Sequence, residues 1–393
     1  MMGALLVISV WALVLLAFTR PLHARWREPV FRHPALVVES DDWGAGPLAQ
    51  TEALTRIASV LQGFRDSTGR SPVMTLGIVL EVPDTERLAR EGLASYRGRG
   101  LGEACFEPIR RAIQSGVASG VFAPQLHGQC HYWPQALMTA AQGDAGVRAW
   151  LTGVSLSSTE ALPAHLQSRW IDASQLPSRA LDAAQIAAAV EEEAASYRKL
   201  FGASPEVAVP TTFVWNADVE RAWKSAGVEV VITPGRRATR RDAAGQLTGV
   251  DRLMLTGESS DAGQCYLVRD VYCEPALGHS AQRLVDSLVE RTHQGRACLV
   301  EMHRFNFLRE MDQSLKTLQT ALALCLERYP TVRFASSFEL ARAIRQANPD
   351  LLETRFARRL RAWLARLHEV PRFGRATRIT GLVIALKLLE RVL

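Results

Sequence analysis

Along most of this 393-residue chain, short apolar runs rich in branched residues alternate with longer segments of helical spacing, and no other feature restricts the fold as much. The runs at 35–39, 73–80, 121–126, 207–209, 228–232, 297–302 and 332–335 read as strands. The segments at 51–64, 106–115, 181–200, 218–226, 281–292 and 313–328 read as helices. Turn chemistry marks several boundaries: Ser71-Pro72 and Pro83-Asp84 bracket the second strand, and Gly202 stops the long Ala- and Glu-rich helix. Strands that run the same way need a crossover between them, so this alternation predicts an α/β fold around a mostly parallel sheet, open or closed into a barrel. Neither an internal repeat nor a low-complexity linker interrupts residues 33–345, which are expected to form one domain. With 48% hydrophobic and 22% charged residues, the composition supports a large core and excludes a disordered chain.

The formal net charge of +6 is unevenly placed. Residues 355–393 sum to +8 and residues 20–32 to +3, which leaves 33–354 at −5. A mildly acidic body is a poor partner for a phosphate backbone, so no nucleic-acid binding is expected. Ahead of the four arginines of 20–32 lies an apolar run, 3–18, about 24 Å long as a helix. No basic residue precedes the run and no small-x-small cleavage site follows it, so residues 1–32 read as a retained membrane-anchor helix and basic linker rather than a cleaved secretory signal. Basic residues beside a membrane segment favour the cytoplasmic side, which places the body there, against a bacterial inner membrane. Residues 346–393 read as a basic C-terminal helical tail in which Phe356, Leu360, Trp363, Leu364 and Leu367 recur at three- and four-residue spacing. Such a helix suits the interface of an anionic bilayer or packing on the body with a solvated basic face; two membrane-compatible ends favour the interface. The six cysteines show neither a CxxC pair nor zinc-finger spacing and fit a reducing compartment.

Three polar segments each follow a predicted strand, where parallel α/β folds collect their active-site groups. They are S-D-D-W-G at 40–44, H-G-Q-C-H at 127–131 and E-M-H-R at 301–304. Two histidines four residues apart share a face if their segment is helical, and can then bind one metal. One carboxylate with two imidazoles makes a three-ligand set with an open position for water, the pattern of catalytic zinc sites. A second carboxylate could serve as general base and His303 as general acid. Each segment alone has a plainer reading, as exposed polar residues, a helix cap or a structural histidine at a strand end; the combination is what points to chemistry.

The order of these segments resembles the polysaccharide deacetylases of carbohydrate esterase family 4, the NodB-homology superfamily. It resembles more closely a bacterial polysaccharide deacetylase-like branch in which S-D-D-W-G, F-E-P-x-x-x-x-I, F-x-P-Q-x-H-G-x-x-H and H-R-x-N-F are typical. Here these stand at 40–44, 106–113, 122–131 and 303–307, and the resemblance covers roughly 33–345. It implies a distorted (β/α) barrel of the glycoside hydrolase/deacetylase type. It also implies Asp41 as general base, Asp42, His127 and His131 as ligands of a divalent metal, usually zinc (Zn2+), and His303 as general acid. The implied reaction is hydrolysis of an N-acetyl group from an amino sugar, in a glycan or, given the membrane-seeking ends, a lipid-linked glycan of cell-surface polysaccharide biosynthesis. A backbone N–H near Thr212 or Phe213 would hold the oxyanion.

The chain departs from the family in one place: its third motif has an Arg before Pro that orients the base, whereas Val207-Ala208-Val209-Pro210 has none. Arg269 or Arg304 is available to take that place, the alternative for either being a surface or structural ion pair. Glu274 reads as a support for the site or a structural residue, and Cys130 as a small buried residue or a group near the metal. Trp43, Trp133 and Trp215 read as core or as sugar-stacking walls. The missing Arg motivates a second reading, a non-catalytic glycan-binding or scaffold relative; a third keeps the chemistry but changes the group removed to a formyl or other short N-acyl, because pocket size depends on the loops.

Overall fold

The computed structural model describes residues 2–153 and 158–392; Met1 and Leu393, the outermost residues of the two terminal segments, and residues 154–157 lie outside it. Its centre is a nine-stranded parallel sheet: β1 (Ala35–Gly44), β2 (Met74–Val79), β3 (Phe122–Leu126), β4 (Val207–Ala208), β5 (Val230–Thr233), β6 (Cys265–Val268), β7 (Val271–Tyr272), β8 (Cys298–His303) and β9 (Arg333–Phe334). The hydrogen-bonded order is β6-β5-β4-β3-β2-β1-β8-β7, with β9 pairing the start of β1.

The two strands at opposite ends of that order, β6 and β7, are consecutive in the chain with only Arg269 and Asp270 between them. At no more than about 3.6 Å per residue, a link this short forces the edges of the sheet together. The sheet therefore curls until its ends meet across a covalent seam, while no ladder pairs β6 with β7 among the described residues. The expected alternation of strands and helices is present, and the sheet is curled and parallel but not closed by hydrogen bonds. The seam strands β6 and β7 have no counterpart in the sequence reading; four and two residues long, they carry too little pattern to stand out.

Two helices precede the sheet, α1 (Met2–Ala17) and α2 (Thr19–Arg27). Around it pack α3 (Gln50–Gln62), α4 (Glu107–Ala118), α5 (Ala183–Phe201), α6 (Ala217–Ser225), α7 (Ala281–His293), α8 (Met311–Arg328) and α9 (Ser337–Arg345). After them come α10 (Phe356–Arg366), α11 (Phe373–Ile379) and α12 (Leu382–Val392). Helix α5 shows why such segments are helical. Asp182 and Gln185 form a capping box, Gly202 ends the helix at φ +75°, and Ile186, Ala189, Val190, Ala194 and Tyr197 make the buried stripe.

The period-two alternation of strands sorts the core. On β1, Leu36 and Val38 join the apolar layer beneath the helices, while Val37 packs inside the curl with Val207, Val230, Ile232, Leu267 and Leu299. The register of β1 with β8 pairs Val37 with Leu299, Glu39 with Glu301 and Asp41 with His303. The inner face therefore turns from apolar to acidic to a facing Asp41–His303 pair as it approaches the C-terminal ends of the strands.

The helix α1 ends at Ala17 and α2 departs from it at 67°; among the described residues no single helix is long and apolar enough to cross a membrane, while this bent pair has the length and composition of a broken span. Pro21 supplies a reason for the break, since it lacks the N–H that would continue the ladder to Ala17. The two termini also pack on each other: Leu22 lies in one cluster with Leu364, Leu367, Val370 and Phe373.

Candidate active site

A β-bulge places two consecutive aspartates on the site. Between Ser40 and Trp43 the register of β1 against β2 shifts, three residues advancing opposite two, and Asp42 sits at φ +73°. The extra residue breaks the in-out alternation, so Asp42 turns toward the same side as Asp41. The Trp43 indole bridges the bulge with a 2.8 Å hydrogen bond to Ser40 Oγ, and Gln50 holds both the N–H and the carbonyl of Gly44.

His127 and His131 come together through a loop, not through a helix as their spacing first suggests. Gly128 takes φ +96°, a conformation that only glycine adopts at low cost, and a Cβ there would press on Cys130 O and Arg169 Cδ. The loop is pinned from outside by Glu193, a fully buried carboxylate of α5 that accepts from the Gln129 N–H at 3.0 Å, the Trp223 indole at 2.8 Å and Arg169 Nε at 3.2 Å.

Asp42, His127 and His131 form one buried group whose donor atoms lie within 4.8 Å of one another. His127 Nε2 and His131 Nε2 stand 3.4 and 3.3 Å from Asp42 Oδ1, which is buried without a hydrogen-bond partner among the described residues. That separation matches the edge, about 3.3 Å, of a tetrahedron whose vertices lie ~2.0–2.1 Å from its centre, the bond length of zinc to nitrogen or oxygen. His127 Nδ1 donates to Val209 O at 2.9 Å, which fixes the tautomer and leaves Nε2 as a lone-pair donor. Burial, with the nearby His127 and His303, pushes His131 down to about 4, so its ring is neutral at physiological pH. Burial works against the charge of Asp42, yet His131, His127 and His303 together hold its carboxyl below the usual range. An anionic oxygen and two imidazole nitrogens so disposed suit a divalent ion of the zinc type.

Asp41 and His303 form a second group with Glu301, again within 4.8 Å. Arg269, fully buried in the seam between β6 and β7, holds three carboxylates: Asp41 Oδ2 at 2.6 Å, Glu301 Oε2 at 3.1 Å and Glu39 Oε2 at 3.2 Å. Burial opposes ionisation of Asp41, but Arg269, His127 and His303 outweigh it and keep its carboxyl below the usual range. Glu39 and Glu301 are shifted the other way by burial, so of the three carboxyls Asp41 is the most readily ionised. Gly77 on β2 makes room for this carboxylate: a Cβ there would stand 2.4 Å from Asp41 Oδ1. Its register partner on β3, Gln125, is buried with both amide atoms unpartnered among the described residues; the sequence motif at 122–131 contains this residue but gives it no role.

His303 Nδ1 lies 2.6 Å from Glu274 Oε1, and Asn306 Nδ2 donates to Glu274 in turn and to His303 O at 2.9 Å. Burial opposes protonation of the ring, but the hydrogen bond to Glu274 and the charges of Asp42 and Glu301 overcome it and raise His303 to about 10. With its side chain 26% exposed, His303 is also the most solvent-accessible of these groups.

Several expectations are redirected. Arg269 is neither a surface pair nor remote from the base, and it is the arginine on Asp41; Arg304 instead grips Glu160 with both carboxylate oxygens at 3.1 Å. Cys130 turns away from the donor group to Arg169 Nη1 at 3.1 Å and Tyr132 O at 3.3 Å, and burial raises its thiol to about 12. Trp43, Trp133 and Trp215 are all buried, Trp43 against Phe307 and Trp215 on Glu220, so none offers a stacking wall. In the turn at 211–213, Thr212 and Phe213 both take positive φ, +50° and +55°. The Phe213 N–H is engaged by Pro210 O at 3.1 Å, and its ring covers the Arg269 guanidinium at 5.4 Å. Of the two, Thr212 has the free backbone donor among the described residues.

Comparisons with known proteins add the following. The family model Glycosyl hydrolase family 57 matches residues 172–257, a stretch that includes the 211–213 turn but none of Asp41, Asp42, His127, His131 and His303. No curated protein matches the chain. Among solved structures, the chain is similar to a family 4 carbohydrate esterase from Streptomyces lividans, at 13% identity and TM-score 0.36 over 78% of this chain and 95% of that one. It is similar to a peptidoglycan deacetylase from Bacillus subtilis, at 9% identity and TM-score 0.38 over 80% and 95%. It is also similar to a CE4 family pseudoenzyme from Bacillus anthracis, at 10% identity and TM-score 0.37 over 79% and 66%.

Proposed function

We propose that this chain is a metal-dependent hydrolase that removes an N-acetyl group from an amino sugar of a glycan or lipid-linked glycan. The observation that carries the reading is a pair of opposed protonation states at matched strand positions. Asp41 is held ionised and His303 protonated, as register partners on adjacent strands beside a three-donor group. Separated acid and base states of this kind are what amide hydrolysis needs at neutral pH.

Asp42, His127 and His131 would hold the divalent ion. When bound, it supplies Lewis-acid polarisation of the acyl carbonyl and a lowered pKa for water. Asp41, oriented by Arg269, accepts a proton as water adds to the acyl carbon. The Thr212 N–H is the candidate donor to the developing oxyanion. His303, supported by Glu274, delivers its proton to the sugar nitrogen as the C–N bond breaks, releasing acetate and a free amine. The Arg269 contact with Asp41 supports the catalytic reading over a non-catalytic relative, since the missing arginine was the ground for the latter.

The test is hydrolysis of N-acetylated amino-sugar oligomers by the purified chain, with acetate release and divalent metal both quantified. Asp42→Asn and His127→Ala should lose metal and activity together, while Asp41→Asn and His303→Ala should keep the metal and lose activity. Full turnover by metal-free protein would sink the reading.

A further inference from the structure

Among the described residues, exposed large apolar side chains are not scattered over this molecule: thirteen of twenty lie on the terminal helices α1 and α10 to α12 or at their ends. We propose that the two chain ends together form one docking platform for an anionic lipid bilayer, with α1 and α12 entering the acyl layer and the surrounding arginines lying among the headgroups. The sequence suggests two separate devices, one of them a spanning anchor; the structure joins them.

The joint is specific. Trp11 Nε1 donates to Thr380 O at 2.8 Å, Trp363 Nε1 donates to Leu22 O at 2.9 Å, and the Phe18 and Phe373 rings meet edge-on at 5.3 Å. Val14, Leu15 and Leu386 turn inward to the shared cluster, and the outward apolar faces of these helices have no protein partner among the described residues. Leu5, Leu6, Leu13 and Leu16 on α1 are 61–69% exposed, and on α12 Ile384 is 65% and Leu388 55% exposed. A helix apolar on every side is stable only when surrounded by apolar matter, and a patch of this kind marks an interaction surface.

Charge selects the occupant. Arg20, Arg27, Arg372, Arg375, Arg378 and Lys387 are exposed around these faces. No acidic residue lies in 5–27, and Glu390, facing His293 at 3.4 Å, is the only one in 370–392. An anionic surface satisfies such a rim, whereas a second copy related by a two-fold axis would set like charges against each other. The body, at −5, is repelled by the same surface, so the platform also sets the orientation. Polybasic segments of this type meet the cytoplasmic leaflet, the anionic one.

Flotation of the full chain tests the platform, using vesicles of phosphatidylcholine alone and of phosphatidylcholine mixed with phosphatidylglycerol. The chain should float with the mixed vesicles and much less with the neutral ones, and added salt should weaken binding. The triple variant Arg375→Glu/Arg378→Glu/Lys387→Glu, altered only at exposed positions, should lose about a hundredfold in partition to the mixed vesicles. Ile384→Ser/Leu388→Ser should lose binding to both. Equal binding of the parent and the triple variant, or a parent that stays unbound, overturns the proposal. So does a dimeric mass in solution that the same variants reduce to the monomer. Hydrolysis of a soluble substrate should be unchanged in all of these variants; a chain that floats without hydrolysing refutes the metal-site reading and leaves the platform standing.

Discussion

Arg269 Nη2 donates to Asp41 Oδ2 at 2.6 Å from the two-residue link that joins the edges of the sheet. The side chain that orients the candidate base is thus part of the seam that closes the fold. Its other nitrogens meet Glu39 and Glu301, so one cation serves three buried carboxylates.

Arg269→Met should therefore be costly in two ways. Leaving buried carboxylates without their cation destabilises a protein by about 3–5 kcal/mol, which denaturant unfolding will read. The depressed pKa of Asp41 contributes stability above the ordinary carboxylate range that is lost as pH falls through the folded value. Without Arg269 that value rises, so the acid limb of the kcat/KM profile should move to higher pH. Arg269→Lys should recover part of the stability and less of the activity, because one ammonium cannot span three carboxylates.

How much of this was legible beforehand varies by residue, for physical reasons. Asp41, Asp42, His127, His131 and His303 stand out only together, because three polar segments of complementary ligand and acid-base types each follow a predicted strand. The bulge that aims both aspartates, and the loop that joins the histidines, depend on backbone angles at Asp42 and Gly128 that no spacing rule reveals. Arg269 was visible only as a candidate, since its function rests on a seam between two strands too short to read. Glu193 carried a usable signal: it falls on the apolar stripe of α5, where a carboxylate must have buried partners.

Glu274→Gln should lower the pKa of His303. Burial alone would depress that group, and the carboxylate is the first of the influences that raise it to about 10. The sign follows: stability from the protonated ring is complete below its ordinary value and disappears as pH rises through about 10. In the variant this loss, and the alkaline limb of activity, should shift to lower pH, as seen by NMR titration of His303 and by the rate profile. An unmoved alkaline limb would show that Glu274 does not set the acid.

Chelation should lower the melting temperature as well as the activity. A ligand present at a hundred times its dissociation constant contributes about 2.7 kcal/mol to stability, and the clustered donors of Asp42, His127 and His131 bind only when folded together. Asp42→Asn should remove both the bound metal, measured by elemental analysis, and the chelator-sensitive part of the melting temperature. Chelator-insensitive melting of a fully loaded parent would contradict the assignment.

Gly77→Ala isolates the orientation of Asp41 from everything else. Glycine within a strand is locally unfavourable by roughly 0.5–1 kcal/mol, so its presence in β2 calls for a reason. The added methyl carbon would stand 2.4 Å from Asp41 Oδ1 and 3.2 Å from the Asp41 Cα, closer than atoms pack, and the nearer of the two contacts is the carboxylate itself. That carboxylate must swing, and its 2.6 Å hydrogen bond to Arg269 is what it leaves. Overpacking of this kind costs about 1–3 kcal/mol, which a curled sheet with this core should survive. The catalytic loss should be larger in proportion, about a hundredfold in kcat, as displacement of a reacting group by ~1 Å typically gives. Bound metal should be unchanged, because the three atoms nearest the new carbon all belong to Asp41 and none to Asp42, His127 or His131. Loss of metal along with rate would place the damage in the donor group, and an unchanged kcat would mean that the Arg269 contact does not position the base.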